Sequence, residues 1–208
     1  KGSIGFGFEK GAEMNIQLQM SPPAWQLLSF AVLSIALLVA LVSDAGSRRV
    51  PNTLVLVMIM AGLLLHSIGP TSASKAEGLF SSSPGALGFV TSLVGALVAL
   101  MVFLPFYVLR ALGAGDVKLL SGVGAFAGTA AFLNIALWVL LAGGVLAVAR
   151  LAITGHPRLL LTNMAAVMTG QFKPAQTLWR MPYAVAIAAG VAAHAAWVFS
   201  GRTPILNF

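Results

Sequence analysis

Long apolar runs separated by short polar breaks organise the chain. Residues 24–43 carry no charge and end at Asp44, and further apolar runs cover about 53–69, 86–109, 117–127, 132–149 and 182–199. A helix that crosses a hydrocarbon core about 30 Å thick needs roughly 20 mostly apolar residues. The pattern therefore predicts an all-α, polytopic membrane protein with six transmembrane helices. The fourth run is short and rich in glycine, and either tilts or runs on past Thr129 towards Phe132. Alanine dominates the sixth, which suits close packing against neighbouring helices. Pro105 is expected to kink the third helix and free a carbonyl near Met101. Between 151 and 181, Leu161, Ala165, Met168 and Phe172 recur on one helical face and predict a short helix lying in the membrane interface.

Composition agrees with this pattern. The chain has 208 residues, 59% of them hydrophobic and 8% charged, whereas soluble proteins average about 25% charged. The net charge of +7 resides in the loops, so it reads as a determinant of membrane orientation and not as a nucleic-acid footprint. With the N-terminus outside, the inner loops hold Arg48, Arg49, Arg110, Lys118, Arg150, Arg158, Lys173 and Arg180, and the outer segments only Lys1, Lys10, Lys75 and Arg202. Both termini are then predicted outside, and the loops after the first, third and fifth helices cytoplasmic. Residues 1–13 are polar and glycine-rich and read as a non-native or flexible leader, with Met14 a natural start. Residues 14–208 read as one membrane domain.

Several chemistries are absent. Without cysteine there is no disulfide, thiolate zinc site or cysteine nucleophile. His66, His156 and His194 have no carboxylate at metal-ligand spacing, and no His-Glu-x-x-His or Gly-x-Ser-x-Gly element occurs. The acids are more informative. There are five, Glu9, Glu13, Asp44, Glu77 and Asp116. Glu77 lies in a polar loop, and the first two fall in the leader. Asp44 and Asp116 are the only aspartates, and each borders an apolar helix, where a buried carboxylate is costly. Asp44 ends the first helix and Asp116 opens the fourth, so two crossings bring both to one membrane face. A poorly solvated carboxylate pair titrates as a unit, one member taking a proton from water while the other donates to a carbonyl. Helix capping by each aspartate, or proton-coupled transport by a membrane carrier, would also use acids at these positions.

The flanking residues sharpen the choice. Asp44 is followed seven positions later by Pro51-Asn52, which is expected to fix the turn into the second helix, with Asn52 or Thr53 as its cap. Gly113-Ala114-Gly115-Asp116-Val117-Lys118 opens the fourth helix, its glycines expected to permit a sharp turn and close substrate approach. Lys118, two residues past Asp116, either lowers the pKa of the carboxylate pair or orients substrate, or serves topology and headgroup contact with Arg48, Arg49 and Arg110. Met181-Pro182-Tyr183-Ala184 opens the last helix. In these features the chain resembles the type IV prepilin peptidases, intramembrane aspartic proteases of the GxGD class. That resemblance implies catalytic roles for Asp44 and Asp116, supported by Gly113, Gly115, Lys118, Pro51 and Asn52. It further implies a prepilin substrate whose hydrophobic helix lies in the bilayer, and no metal or organic cofactor. Longer family members carry a Cys-x-x-Cys insertion and methylate the mature pilin. With no cysteine and only residues 45–52 between Asp44 and the second helix, this chain resembles the short, protease-only form of tight-adherence (Flp) pilus systems. The archaeal preflagellin peptidases share the two-aspartate plan.

Overall fold

The computed structural model describes residues 21–47, 50–70, 78–81, 83–109, 111–154 and 183–206. These residues form an all-α bundle of five helices: α1 (Pro22–Ser47), α2 (Asn52–Ile68), α3 (Phe89–Val108), α4 (Ala114–Thr154) and α5 (Tyr183–Phe199). Three helices, α1, α3 and α4, are long and apolar enough to cross a membrane, and α2 and α5 are shorter apolar helices. The expected leader, residues 1–13, and the expected interfacial helix within 151–181 lie outside the described residues, as do Glu77 and His156. Apolar side chains such as Leu38, Val42, Val57, Val90 and Val145 point outward, as a lipid-facing surface requires.

Three boundaries differ from the reading of the apolar runs. α1 extends to Ser47, so Asp44 sits inside its last turn and does not close it. The third helix begins only at Phe89, because Gly88 has φ 83°, a conformation that ends the preceding loop and that side-chain-bearing residues rarely adopt. The apolar runs 117–127 and 132–149 are not separated by a loop. They belong to one helical stretch with a break at Gly128, whose φ of 71° and ψ of 174° lie in a region reserved almost entirely for glycine. Pro105 lies within α3, which continues through it to Val108.

A break inside an apolar helix strands carbonyls, and in lipid these must find partners within the protein. Ser92 of α3 donates its hydroxyl to the carbonyl of Ala125 at 2.6 Å, and His66 of α2 meets the carbonyl of Phe126 through Nε2 at 2.8 Å. Because His66 Nδ1 accepts the Leu87 amide at 3.0 Å, its proton must be on Nε2, donating to Phe126. His66 is thus a structural hub tying α2, the 84–88 loop and the break of α4 together. Trp25 packs edge-on against it, centroids 5.2 Å apart, and donates its indole N–H to the carbonyl of Leu65 at 2.9 Å. The loop between α2 and α3 is drawn into the bundle as well. Leu79 and Phe80 are buried, and Gln26 of α1 donates to the carbonyls of Leu79 and Ser81.

Helix contact is closest where side chains vanish. A Cβ at Gly95 of α3 would collide with the carbonyl of Gly124 and lie 2.8 Å from Cα of Gly128. A Cβ at Gly190 of α5 would stand 2.6 Å from the backbone nitrogen of Val139. Such approach of backbones is how helices gain packing where lipid offers no hydrophobic drive. After α5 the chain turns back: Leu206 and Asn134 exchange two hydrogen bonds of 2.8 and 3.1 Å, and Arg202 covers the ring of Trp197 at 4.6 Å.

The break predicts a sensitive position. Gly128→Ala forces a side chain into the glycine-only region at a cost of about 1–3 kcal/mol, and is expected to lower the unfolding temperature of the detergent-solubilised protein. An unchanged melting curve would contradict the role assigned to this residue.

Candidate active site

Both aspartates lie at the end of the bundle away from the His66 hub. Asp116 is the third residue of α4. The carbonyl of Gly113 accepts the amides of Asp116 and Val117 at 3.1 and 3.3 Å, which makes Gly113 the helix cap. In return Asp116 Oδ2 accepts the Gly113 amide at 3.1 Å. Asp116 is therefore not the N-cap. It closes back on the cap from the third helical position, the carboxylate half of a capping box. The helix dipole favours negative charge there.

Asp44 reaches the same region from the opposite kind of helix end. It lies in the last turn of α1, where the dipole opposes negative charge, and it is only 9% exposed. Its Oδ2 accepts the backbone amide of Ala184, in the first turn of α5, at 3.4 Å. Tyr183, the residue before, lies within electrostatic reach of Asp116. The first turn of α5 thus donates an amide to Asp44 and carries a tyrosine within electrostatic reach of Asp116. Neither Tyr183 nor Ala184 stands out as a candidate from composition or spacing. The only signal for them was the Met181-Pro182-Tyr183-Ala184 opening of the last helix.

The supporting residues divide. Pro51 is the N-cap of α2, with φ −61° and ψ 133° and no side-chain cap. The expectation that Asn52 or Thr53 caps this helix is thereby corrected: the proline ring already sets the entry angle. The Asn52 side chain is instead turned outward, and its Oδ1 accepts a hydrogen bond from Lys118 Nζ at 3.1 Å. This bond ties the start of α2 to the start of α4. Gly113 and Gly115 do not have positive φ, so a sharp turn is not what makes glycine suitable there. Space is the reason at Gly113, where a Cβ would come within 3.0 Å of Asp116 Oδ2. At Gly115 a Cβ would meet Val50 only at ordinary contact distance, 3.4 Å. Arg48, Arg49 and Arg110 lie outside the described residues. Among the described residues no cluster of three or more acidic, histidine or cysteine side chains is arranged to hold a metal ion. His66 serves the fold, and His194 packs against Phe80 at 5.3 Å.

The capping geometry predicts that Asp116→Ala destabilises the protein by about 0.5–2 kcal/mol. Asp116→Asn, which keeps an oxygen for the Gly113 amide, should melt close to the wild type. Equal melting temperatures for both variants would refute the capping role.

Two acids at one end of an apolar helical bundle, where a third helix begins, fit a proton-handling site. Comparison with known proteins identifies its class. The model of the type IV leader peptidase family matches residues 31–148, a span that holds both aspartates, α2, α3 and the break of α4. No curated protein matches the chain, and no solved structure does. The match covers more than half of the chain, so this membrane protein belongs to the type IV leader peptidase family, the aspartic endopeptidases that cut prepilin leaders.

Proposed function

We propose that Asp44 and Asp116 are the catalytic pair of this peptidase. The observation that carries the reading is their placement at the end where α5 begins, Asp44 bonded to the Ala184 amide and Asp116 within electrostatic reach of Tyr183. One carboxylate takes a proton from water as its oxygen attacks the scissile carbonyl, while the other, protonated, donates to the carbonyl oxygen. Collapse of the tetrahedral intermediate then expels the amine, which takes up the proton gained from water. The amide of Gly113 is committed to Asp116, so it does not serve as an oxyanion donor. The amides of Ala114 and Gly115, in the first turn of α4, have no intrahelical acceptor and are better placed to steady the peptide.

The bundle has six crossings on this reading, with α4 counted twice, once on each side of Gly128. The basic residues near the carboxylate end, Lys118 among them, put that end in the cytoplasm and both termini outside. The substrate's leader then meets the carboxylates from the cytoplasm while its hydrophobic helix stays in the bilayer. The separation of α1 from α2 by only four residues in sequence, 48–51, together with the lack of cysteine, supports a protease without methyltransferase activity acting on Flp-type prepilins.

Co-expression with a prepilin from the same genome, followed by immunoblot, tests the assignment. The wild type shortens the pilin. Asp44→Asn and Asp116→Asn each lower the cleavage rate by about 10³-fold or more, while the protein still accumulates in the membrane. Full activity in either variant would remove that aspartate from the mechanism.

A further inference from the structure

The two histidines buried in the bundle are held in opposite ways. His66 uses both ring nitrogens, whereas His194 of α5, 2% exposed, has no hydrogen-bond partner on Nδ1 or Nε2 among the described residues. Ring packing holds it instead. His194 lies 5.3 Å from Phe80 of the loop between α2 and α3, and Phe80 stands edge-on to Phe30 of α1 at 5.2 Å. Phe30 in turn meets Phe199, the last residue of α5, at 5.6 Å. The four rings fasten α5, α1 and the loop to one another. His194 follows Ala184 by ten positions, which puts this fastening about 15 Å along the helix from the bond to Asp44.

Among the described residues, the elements around this ring offer no anion to an imidazolium. Asp44 is the acid of α1 and lies near its other end. Residues 78–81 of the loop carry no ionisable group, and the loop's Lys75 and Glu77 lie outside the described residues. α4 has no ionisable side chain between Lys118 and Arg150, and α3 has only Tyr107, near its carboxylate end. α2 contributes only His66, already bonded twice, and α5 has no other ionisable group than Tyr183 at its start. Arg202, beyond α5, stacks on Trp197 and is itself a cation. A positive charge enclosed without a counter-charge is costly, and enclosure in an apolar bundle makes it more so. We propose that His194 makes the fastening acid-sensitive: its imidazole takes up a proton only when α5 parts from Phe80 and α1. A released imidazole titrates near pH 6.5. Above that pH, opening exchanges no proton at this residue, and below it opening takes one up. The stabilising contribution is therefore complete above about pH 6.5 and is lost as the pH falls, the opening equilibrium shifting about tenfold for each unit.

Melting curves of the detergent-solubilised protein from about pH 7.5 to about pH 5 test this, with wild type, His194→Phe and His194→Gln. All three proteins keep His66 and both aspartates, so the pH dependence that those groups confer is common to them, and the difference between curves belongs to position 194. The wild type should lose melting temperature below about pH 6.5. Each variant should lose less over the same range, so that the variant-minus-wild-type difference rises as the pH falls. Glutamine needs no more room than the imidazole and does not titrate, which keeps the test decisive if phenylalanine strains the packing. Parallel curves for the wild type and a folded variant would overturn the inference. So would a difference that falls with acid, because it would mean that the imidazolium has a partner in the bundle. Neither result touches the two-aspartate reading, which the cleavage assay tests separately.

Discussion

The bundle depends on one requirement: inside lipid, no backbone carbonyl can be left without a donor. That requirement makes the break at Gly128 possible only because Ser92 and His66 stand ready to receive the carbonyls of Ala125 and Phe126. With those partners α4 changes direction without exposing polar backbone. The change of direction lets one helix supply two parts of the site, Asp116 at its start and the seat of Tyr183 at Gly143 beyond the break.

The two carboxylates are held in unlike ways. Asp116 is fixed locally, by the cap it closes three residues back, and would be oriented even in an isolated helix start. Asp44 has no such local partner among the described bonds. Its Oδ2 reaches across 140 positions of sequence to the Ala184 amide, a bond that forms when α1 and α5 are packed together. Assembly of the site is for this reason a tertiary event, and whatever moves α5 moves the partner of one acid and the neighbour of the other together.

Much of this was legible in the residues alone. Apolar runs announce helices in a chain with few charges, and two lone aspartates at the edges of such runs are conspicuous because burial makes them costly. The limits of that reading have physical causes. Gly88 and Gly128 shift helix boundaries through backbone angles that composition does not encode. Asn52 looked like a cap because its side chain suits one, yet Pro51 already occupies that position and Asn52 turns to Lys118. The contacts of Ala184 with Asp44 and of Tyr183 with Gly143 join segments far apart in the chain. No periodicity or local spacing marks them, since they arise only from the packing of α5 on α1 and α4.

The distribution of hydrogen bonds along the bundle has a consequence for substitution. At the end of His66, buried side chains bind main-chain atoms of other elements repeatedly: Trp25 to Leu65, Gln26 to Leu79 and Ser81, His66 to Phe126 and Leu87. At the end of the carboxylates, the Ala184 amide of α5 donates to Asp44 of α1 at 3.4 Å, and Lys118 of α4 donates to Asn52 of α2 at 3.1 Å. Apart from the His66 ring nitrogen, every acceptor in the first set is a main-chain carbonyl, so a change of side chain at 65, 79, 81 or 126 leaves the acceptor in place.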